Sequence, residues 1–169
     1  MMRFDRMTVK VREVIESAIT EAGKRNHPQT EPVHIFHAML NQEESLVGSI
    51  VKRAGTDLQR LRTETEKQLE KLPSVSGQNE TGVSNDFKQL INCAFKESEA
   101  WKDEYVSIEH LLLAFFDDQF LEMKTLLTQS GLTRETVLEI LTEVRGDQQV
   151  TDENPEEKYK KKKKYSRDL

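Results

Sequence analysis

Thr30-Glu31-Pro32-Val33-His34-Ile35-Phe36-His37-Ala38-Met39-Leu40 returns 76 positions later as Val106-Ser107-Ile108-Glu109-His110-Leu111-Leu112-Leu113-Ala114-Phe115-Phe116, histidine over histidine and alanine over alanine. The same offset extends without a gap in both directions. Val11, Val14, Ile15, Ala18 and Ile19 fall on Phe87, Leu90, Ile91, Ala94 and Phe95; Thr8 falls on Ser84 and Gly55 on Gly131. A period this long is no solenoid repeat, and apolar positions, cap positions and glycines coincide together. The pattern is that of one helical unit duplicated in tandem.

Within each copy the apolar residues step by three and four. Val11, Val14, Ile15, Ala18, Ile19 and Ala22 make one buried stripe of a helix, with Thr8 as its N-cap and Gly23 followed by Asn26 and Pro28 as its stop. A second helix starts near Thr30, with Pro32 in its first turn. The third carries Leu46, Val47, Ile50, Val51 and Ala54 and ends at Gly55. The fourth is capped by Asp57, carries Leu58, Leu61, Leu69 and Leu72, and cannot pass Pro73. Ser84, Ser107 and Thr133 cap three of the counterparts in the second copy; the fourth runs from Phe120 to Ser130, ended by Gly131, and Gly146 ends the last helix. No segment alternates as a strand would. The fold class is all-α: two tandem pseudo-symmetric four-helix repeats, about eight helices, in one compact bundle. Repeat 1 covers 1–72, a flexible joint 73–83, repeat 2 84–146, and a charged flexible linker 147–169.

Composition narrows the function. The chain has 169 residues and a net charge of −5; the part before residue 147 is more acidic still, which argues against nucleic acid as its partner. About 145 residues suffice to bury roughly 68% of their unfolded surface. Cys93 is the only cysteine, so neither an intrachain disulfide nor a cysteine zinc site can form. A reducing compartment is the simplest reading. The N-terminus lacks a signal-peptide core and no apolar run spans a bilayer, so a cytoplasmic location and no membrane partner are expected.

The two matched units, Glu31-Pro32-Val33-His34, the joint Leu72-Pro73-Ser74-Val75-Ser76-Gly77 and the exit Lys164-Tyr165-Ser166-Arg167-Asp168-Leu169 resemble the N-terminal domains of the Clp (heat-shock 100) family of AAA+ chaperones. The joint and the exit look most like its ClpB disaggregase branch. The resemblance covers essentially the whole chain, including Arg3-Phe4-Asp5-Arg6-Met7-Thr8. It implies a stress-response, substrate-recognition domain that binds unfolded or aggregated proteins through an apolar groove and hands them to a homohexameric ATPase ring working with a DnaK-type chaperone system. The adaptor-binding domain of a ClpC- or ClpA-type unfoldase is the alternative. It also implies a longer parent that uses ATP and Mg, the chain itself being a monomeric, non-enzymatic fragment. No Gly-rich loop ending in Lys-Ser/Thr is present to cradle a phosphate, so no cofactor is expected here.

By the same resemblance, Thr8, Asp103 and Glu109 are implicated in substrate handling, and the apolar groove maps to Ile91, Cys93 and His110, with Tyr105 as an aromatic edge. Cys93 and His110 depart from the leucines usual at those places. Each also has a plainer reading: Thr8 as a cap, Asp103 in a turn, Glu109 as a first-turn acid facing the helix dipole. His34 and His37 share a helix face, and four histidines raise the rival of a metal or acid–base enzyme. No matching third ligand stands at a usable spacing, so His34 and His110 read as duplicated structural histidines bonding nearby backbone, and no metal site is expected. Trp101 reads as a helix-end residue tucked against the neighbouring repeat. The lysine run 160–164 reads as part of a solvated linker.

Overall fold

The computed structural model describes residues 3–76, 81–146, 149–156 and 159. Among the described residues eight α-helices follow in order: α1 (Val9–Lys24), α2 (Pro32–Asn41), α3 (Leu46–Arg53), α4 (Leu58–Glu70), α5 (Asn85–Ala100), α6 (Ile108–Ala114), α7 (Leu121–Gln129) and α8 (Arg134–Arg145). The expected caps hold. The amides of Val11, Phe87 and Thr136 donate to the side-chain oxygens of Thr8, Ser84 and Thr133 at 3.3, 3.0 and 3.2 Å, each satisfying one orphan donor of a first turn. Gly55 and Gly131 take φ of +76° and +90° as left-handed residues after α3 and α7.

Three details differ from the sequence reading. Helix α1 runs through Gly23 to Lys24, and it is Asn26, at φ 60°, that turns the chain; its counterpart Lys102 has φ 60° as well. In both copies the residue before it, Arg25 or Trp101, caps the last turn with its own amide. The helix expected over 120–130 runs Leu121–Gln129, with an unexpected 3-10 turn ahead of it. Asp117 accepts the Gln119 amide at 3.0 Å, a 3-10 turn covers Asp118–Phe120, and α7 begins only at Leu121. Finally, a pair of two-residue parallel strands, β1 (Gln29–Thr30) and β2 (Gly82–Val83), joins the helical core; segments this short leave no alternation to read.

Those strands carry the symmetry. The Ser84 amide donates to the Thr30 carbonyl at 3.1 Å, and the Thr8 amide donates to the Val106 carbonyl at 3.0 Å. Ser84 is the copy of Thr8 and Val106 the copy of Thr30, so each repeat lends the residue before its first helix to the other. The halves are related by a pseudo-twofold exchange. Helix α3 packs on α6 and α8, α2 on α5, and α4 on α7; Phe36 meets Phe115 edge-to-face across the seam at 5.4 Å. Buried apolar residues of both repeats form one continuous core.

The connectors are tied down where free chain was expected. In the joint, the Val75 amide donates to the Asn26 carbonyl at 2.8 Å and Ser74 Oγ to the Arg25 carbonyl at 3.0 Å; residues 77–80 lie outside the described residues. The larger correction concerns the linker. Val150, Glu156 and Tyr159 are buried, so residues 149–156 and Tyr159 belong to the domain. A sparsely apolar segment docks because Val150 and Tyr159 are buried and one oxygen of Glu156 joins Thr8 to Ile108 on the same seam. The lysine run 160–164 and the exit motif 164–169 lie outside the described residues.

Candidate functional site

Lys102 turns the chain after α5 so that Asp103 lies under the first turn of α6. There the Ser107 amide donates to His110 Nδ1 at 2.9 Å, which leaves the ring hydrogen on Nε2 to donate to Asp103 Oδ2 at 2.6 Å. Arg145, at the end of α8, holds the same carboxylate with two hydrogen bonds of 2.8 and 2.9 Å, the bidentate geometry that suits guanidinium to carboxylate. The Val150 amide adds a fourth donor at 2.9 Å. Burial alone would raise the Asp103 pKa, but the bonds from His110, Arg145 and Val150 outweigh it and hold the carboxyl at about 2.

A second carboxyl layer lies against the first. Ser107 Oγ donates to Glu109 Oε1 at 2.5 Å, and Arg145 approaches Glu109 Oε2 at 3.4 Å. Glu156 Oε2 accepts the Thr8 hydroxyl at 2.8 Å and the Ile108 amide at 3.1 Å, while Oε1 is buried without a hydrogen-bond partner. Burial, then the neighbouring Glu109, push the Glu156 pKa up to about 7 against the pull of the Thr8 hydroxyl and backbone amides. Burial and Glu109 also raise the Tyr159 phenol. The Arg145 guanidinium is stacked 4.6 Å from the Trp101 ring centre; Trp101 is therefore tucked in, but against its own repeat rather than the neighbouring one.

Repeat 1 builds the same frame without the charges. The Glu31 amide donates to His34 Nδ1 at 2.8 Å, and His34 Nε2 then faces His27 Nδ1 at 2.8 Å. His27 occupies the position of Asp103. Burial and the adjacent His27 lower the His34 pKa to about 4. Both histidines thus close a capping box with a backbone amide. Among the described residues, no group of three or more His, Cys, Asp or Glu could hold a metal ion, and no helix is long and apolar enough to cross a membrane.

The structure brings Thr8, Asp103, Glu109 and His110 into one cluster and buries their side chains. It does not assemble the groove expected at Ile91, Cys93 and His110. Ile91 and His110 are core residues at 3% and 0% exposure, and Cys93 lies at the edge of a polar hollow with Lys96, Glu97, Asp117 and Arg134. Burial and Asp117 raise its thiol pKa. The physical reason is the helix period: the three residues fall on the stripes that α5 and α6 turn inward. Tyr105 is half-buried against the core. Sequence reasoning missed Arg145, Glu156 and Tyr159. Val150 and Tyr159, apolar residues isolated in a polar tail, with Glu156 three before the tyrosine, were the available signal.

An open cleft of about 310 Å³ lies elsewhere on the seam, where α2 begins, α4 ends and α7 starts. Its apolar wall is Pro32, Val33, Leu72, Phe120, Leu121 and Met123; its rim is Glu31, Asp86 and Glu122, without a cation. Leu121 is 67% exposed, a large apolar side chain left in water beside that wall.

Residues 6–130 match the Clp repeat (R) N-terminal domain. The chain belongs to that family. It is 36% identical, over 99% of its length, to the chaperone protein ClpB of Bacillus cereus, of which it covers 20%; the chain thus spans about a fifth of the length of the curated relatives it matches. The Hsp104 N-terminal domain of Candida albicans superposes with a TM-score of 0.78 at 26% identity, covering 88% of this chain and 97% of that one. A ClpV N-domain solved in complex with a VipB peptide shares the Clp fold at 17% identity and a TM-score of 0.67, covering 85% of this chain and 89% of that one.

Proposed function

We propose that this Clp N-domain captures apolar segments of unfolded or aggregated polypeptides in the cleft beside Leu121 and delivers them to the ATP-driven hexameric ring of a ClpB-type chaperone acting with a DnaK-type system. The observation that carries the reading is the apolar wall itself, exposed at the junction of the two repeats and centred on a leucine that packing does not require. A groove of this size holds a few side chains of an extended chain, so binding is weak and sequence-tolerant. The acidic rim favours segments whose apolar residues are flanked by lysine or arginine. The ClpV relative supports the reading, since it engages a peptide on the same fold.

The test is titration of the 169-residue chain with a fluorescent, reduced and unfolded model protein. Leu121→Asp leaves the core intact because the side chain is exposed, and it is expected to weaken binding at least five-fold. Equal affinity of wild type and Leu121→Asp would overturn the cleft. Binding only to a folded adaptor, with none to unfolded chains, would favour the ClpC- or ClpA-type role.

A further inference from the structure

The residues tied by resemblance to substrate handling are enclosed, and what encloses them is the chain's own C-terminal segment. We infer that residues 149–156, with Tyr159, form a releasable strap, and that Thr8, Asp103 and Glu109 act as positioning residues for it rather than as contacts for substrate. The strap's attachments alternate between the two repeats. Val150 sits in the core and exchanges two hydrogen bonds with the turn after α5: its amide donates to Asp103, and its carbonyl accepts the Glu104 amide at 2.8 Å. The Glu153 carbonyl accepts the Val9 amide at 3.0 Å, and its side chain meets Arg12 at 3.3 Å. Glu156 joins Thr8 to Ile108, and Tyr159 closes the end, its ring 5.9 Å from the Arg145 guanidinium.

Duplication explains why a strap lies there. In repeat 1 the chain leaving α4 crosses the turn at Arg25 and Asn26 and bonds to it. The chain leaving α8 crosses the copy of that turn two residues further on, at 103–104. The first crossing is followed by a second repeat that holds it in place. Among the described residues the second is held by Val150, Pro155, Tyr159 and a polar clasp, against the ordering entropy of the segment.

The clasp is also poorly balanced. Glu156 Oε1 is buried without a partner and its carboxyl faces Glu109, so release relieves a like-charge contact and an unsatisfied acceptor. Seated, the strap holds the chain to the domain as far as Tyr159. Released, residues 147–159 become tether and add at most about 45 Å of reach, while Thr8, Ser107 and the first turn of α6 open to solvent. The device sets how far the recognition cleft can travel from whatever follows in sequence, and it is independent of the cleft at Leu121.

Amide hydrogen exchange on the 169-residue chain tests this. Val9 and Ile108 are the first residues of α1 and α6, so their amides have no intrahelical acceptor; only the strap protects them, as it does Glu104. Val150→Asp and Tyr159→Ala are each expected to speed exchange at these three amides at least ten-fold and to shift Trp101 fluorescence to the red, with α2 and α4 protected as in the wild type. Unchanged exchange at Val9, Glu104 and Ile108 in both variants would overturn the strap. Loss of protection that spreads through α2 and α4 in both would overturn its releasability, since the segment would then be core.

Discussion

Raising the pH is expected to loosen the strap, through Glu156. Its carboxyl is faced by Glu109 on α6, by the Thr8 hydroxyl ahead of α1 and by Tyr159 on the strap, and its pKa stands at about 7 against an ordinary value of 4.5. The seated state therefore holds a proton that the released state gives up. Seating is strongest below pH 4.5, weakens as the pH climbs through the interval to about 7, and levels off above it. A displacement of this size corresponds to about 3 kcal/mol across the whole interval, or roughly a hundred-fold change in the seated-to-released ratio. The assay is exchange at Ile108, Val9 and Glu104 from pH 5 to 8, corrected for the intrinsic pH dependence of amide chemistry. Glu156→Gln keeps the acceptor for Thr8 and Ile108 but cannot ionise; it should flatten the profile and, at pH 8, protect Ile108 better than the wild type does. Corrected protection that does not change with pH in the wild type, or an equal slope in Glu156→Gln, would refute the shared-proton argument.

Repeat 1 should respond to acid in the opposite sense. The His34 pKa, lowered to about 4 by burial and by His27, favours the fold when neutral, so stability is complete above pH 6.5 and falls as the pH drops toward 4. Urea melts in the Glu156→Gln background, where the strap no longer titrates, should lose about 2 kcal/mol between pH 7 and 5. Gly55→Ala and Gly131→Ala should each cost about 1 kcal/mol, because both residues are left-handed and an added Cβ meets no atom closer than 3.7 Å; the penalty is backbone alone and similar in the two repeats. Thermal melts read both. Phe36→Ala removes the cross-seam ring contact and should cost about 3–5 kcal/mol in one cooperative transition; two separate transitions would mean that the repeats fold independently.

Much of this fold was legible because a helix broadcasts its buried face every three or four residues, and because a duplication announces each feature twice. The caps at Thr8, Ser84, Asp57 and Thr133 and the stops at Gly55 and Gly131 were readable one residue at a time. Gly23 misled because glycine marks a stop only when the chain needs positive φ there, and Asn26 supplied it. The site was less legible. Resemblance pointed to Thr8, Asp103 and Glu109, yet nothing local to them reveals burial, since a lone polar residue in a turn looks the same whether water or an arginine lies beyond it. Arg145, which holds Asp103 from 42 positions away, is a contact that no periodicity encodes.

The difference between positions 27 and 103 shows what the duplication was free to change. Both residues accept the Nε2–H of a capping-box histidine, so the frame tolerates any acceptor of the right reach. With histidine there, the group is neutral and the crossing chain bonds only to backbone. With aspartate there, the buried charge demands a cation, and Arg145 meets the demand with Trp101 against its face. The same carboxylate then has room for one more donor, which is the Val150 amide. A single acidic residue in the second copy thereby turns a passive crossing into an attachment point, and the strap's remaining contacts, from Glu153 to Tyr159, extend along the seam from there.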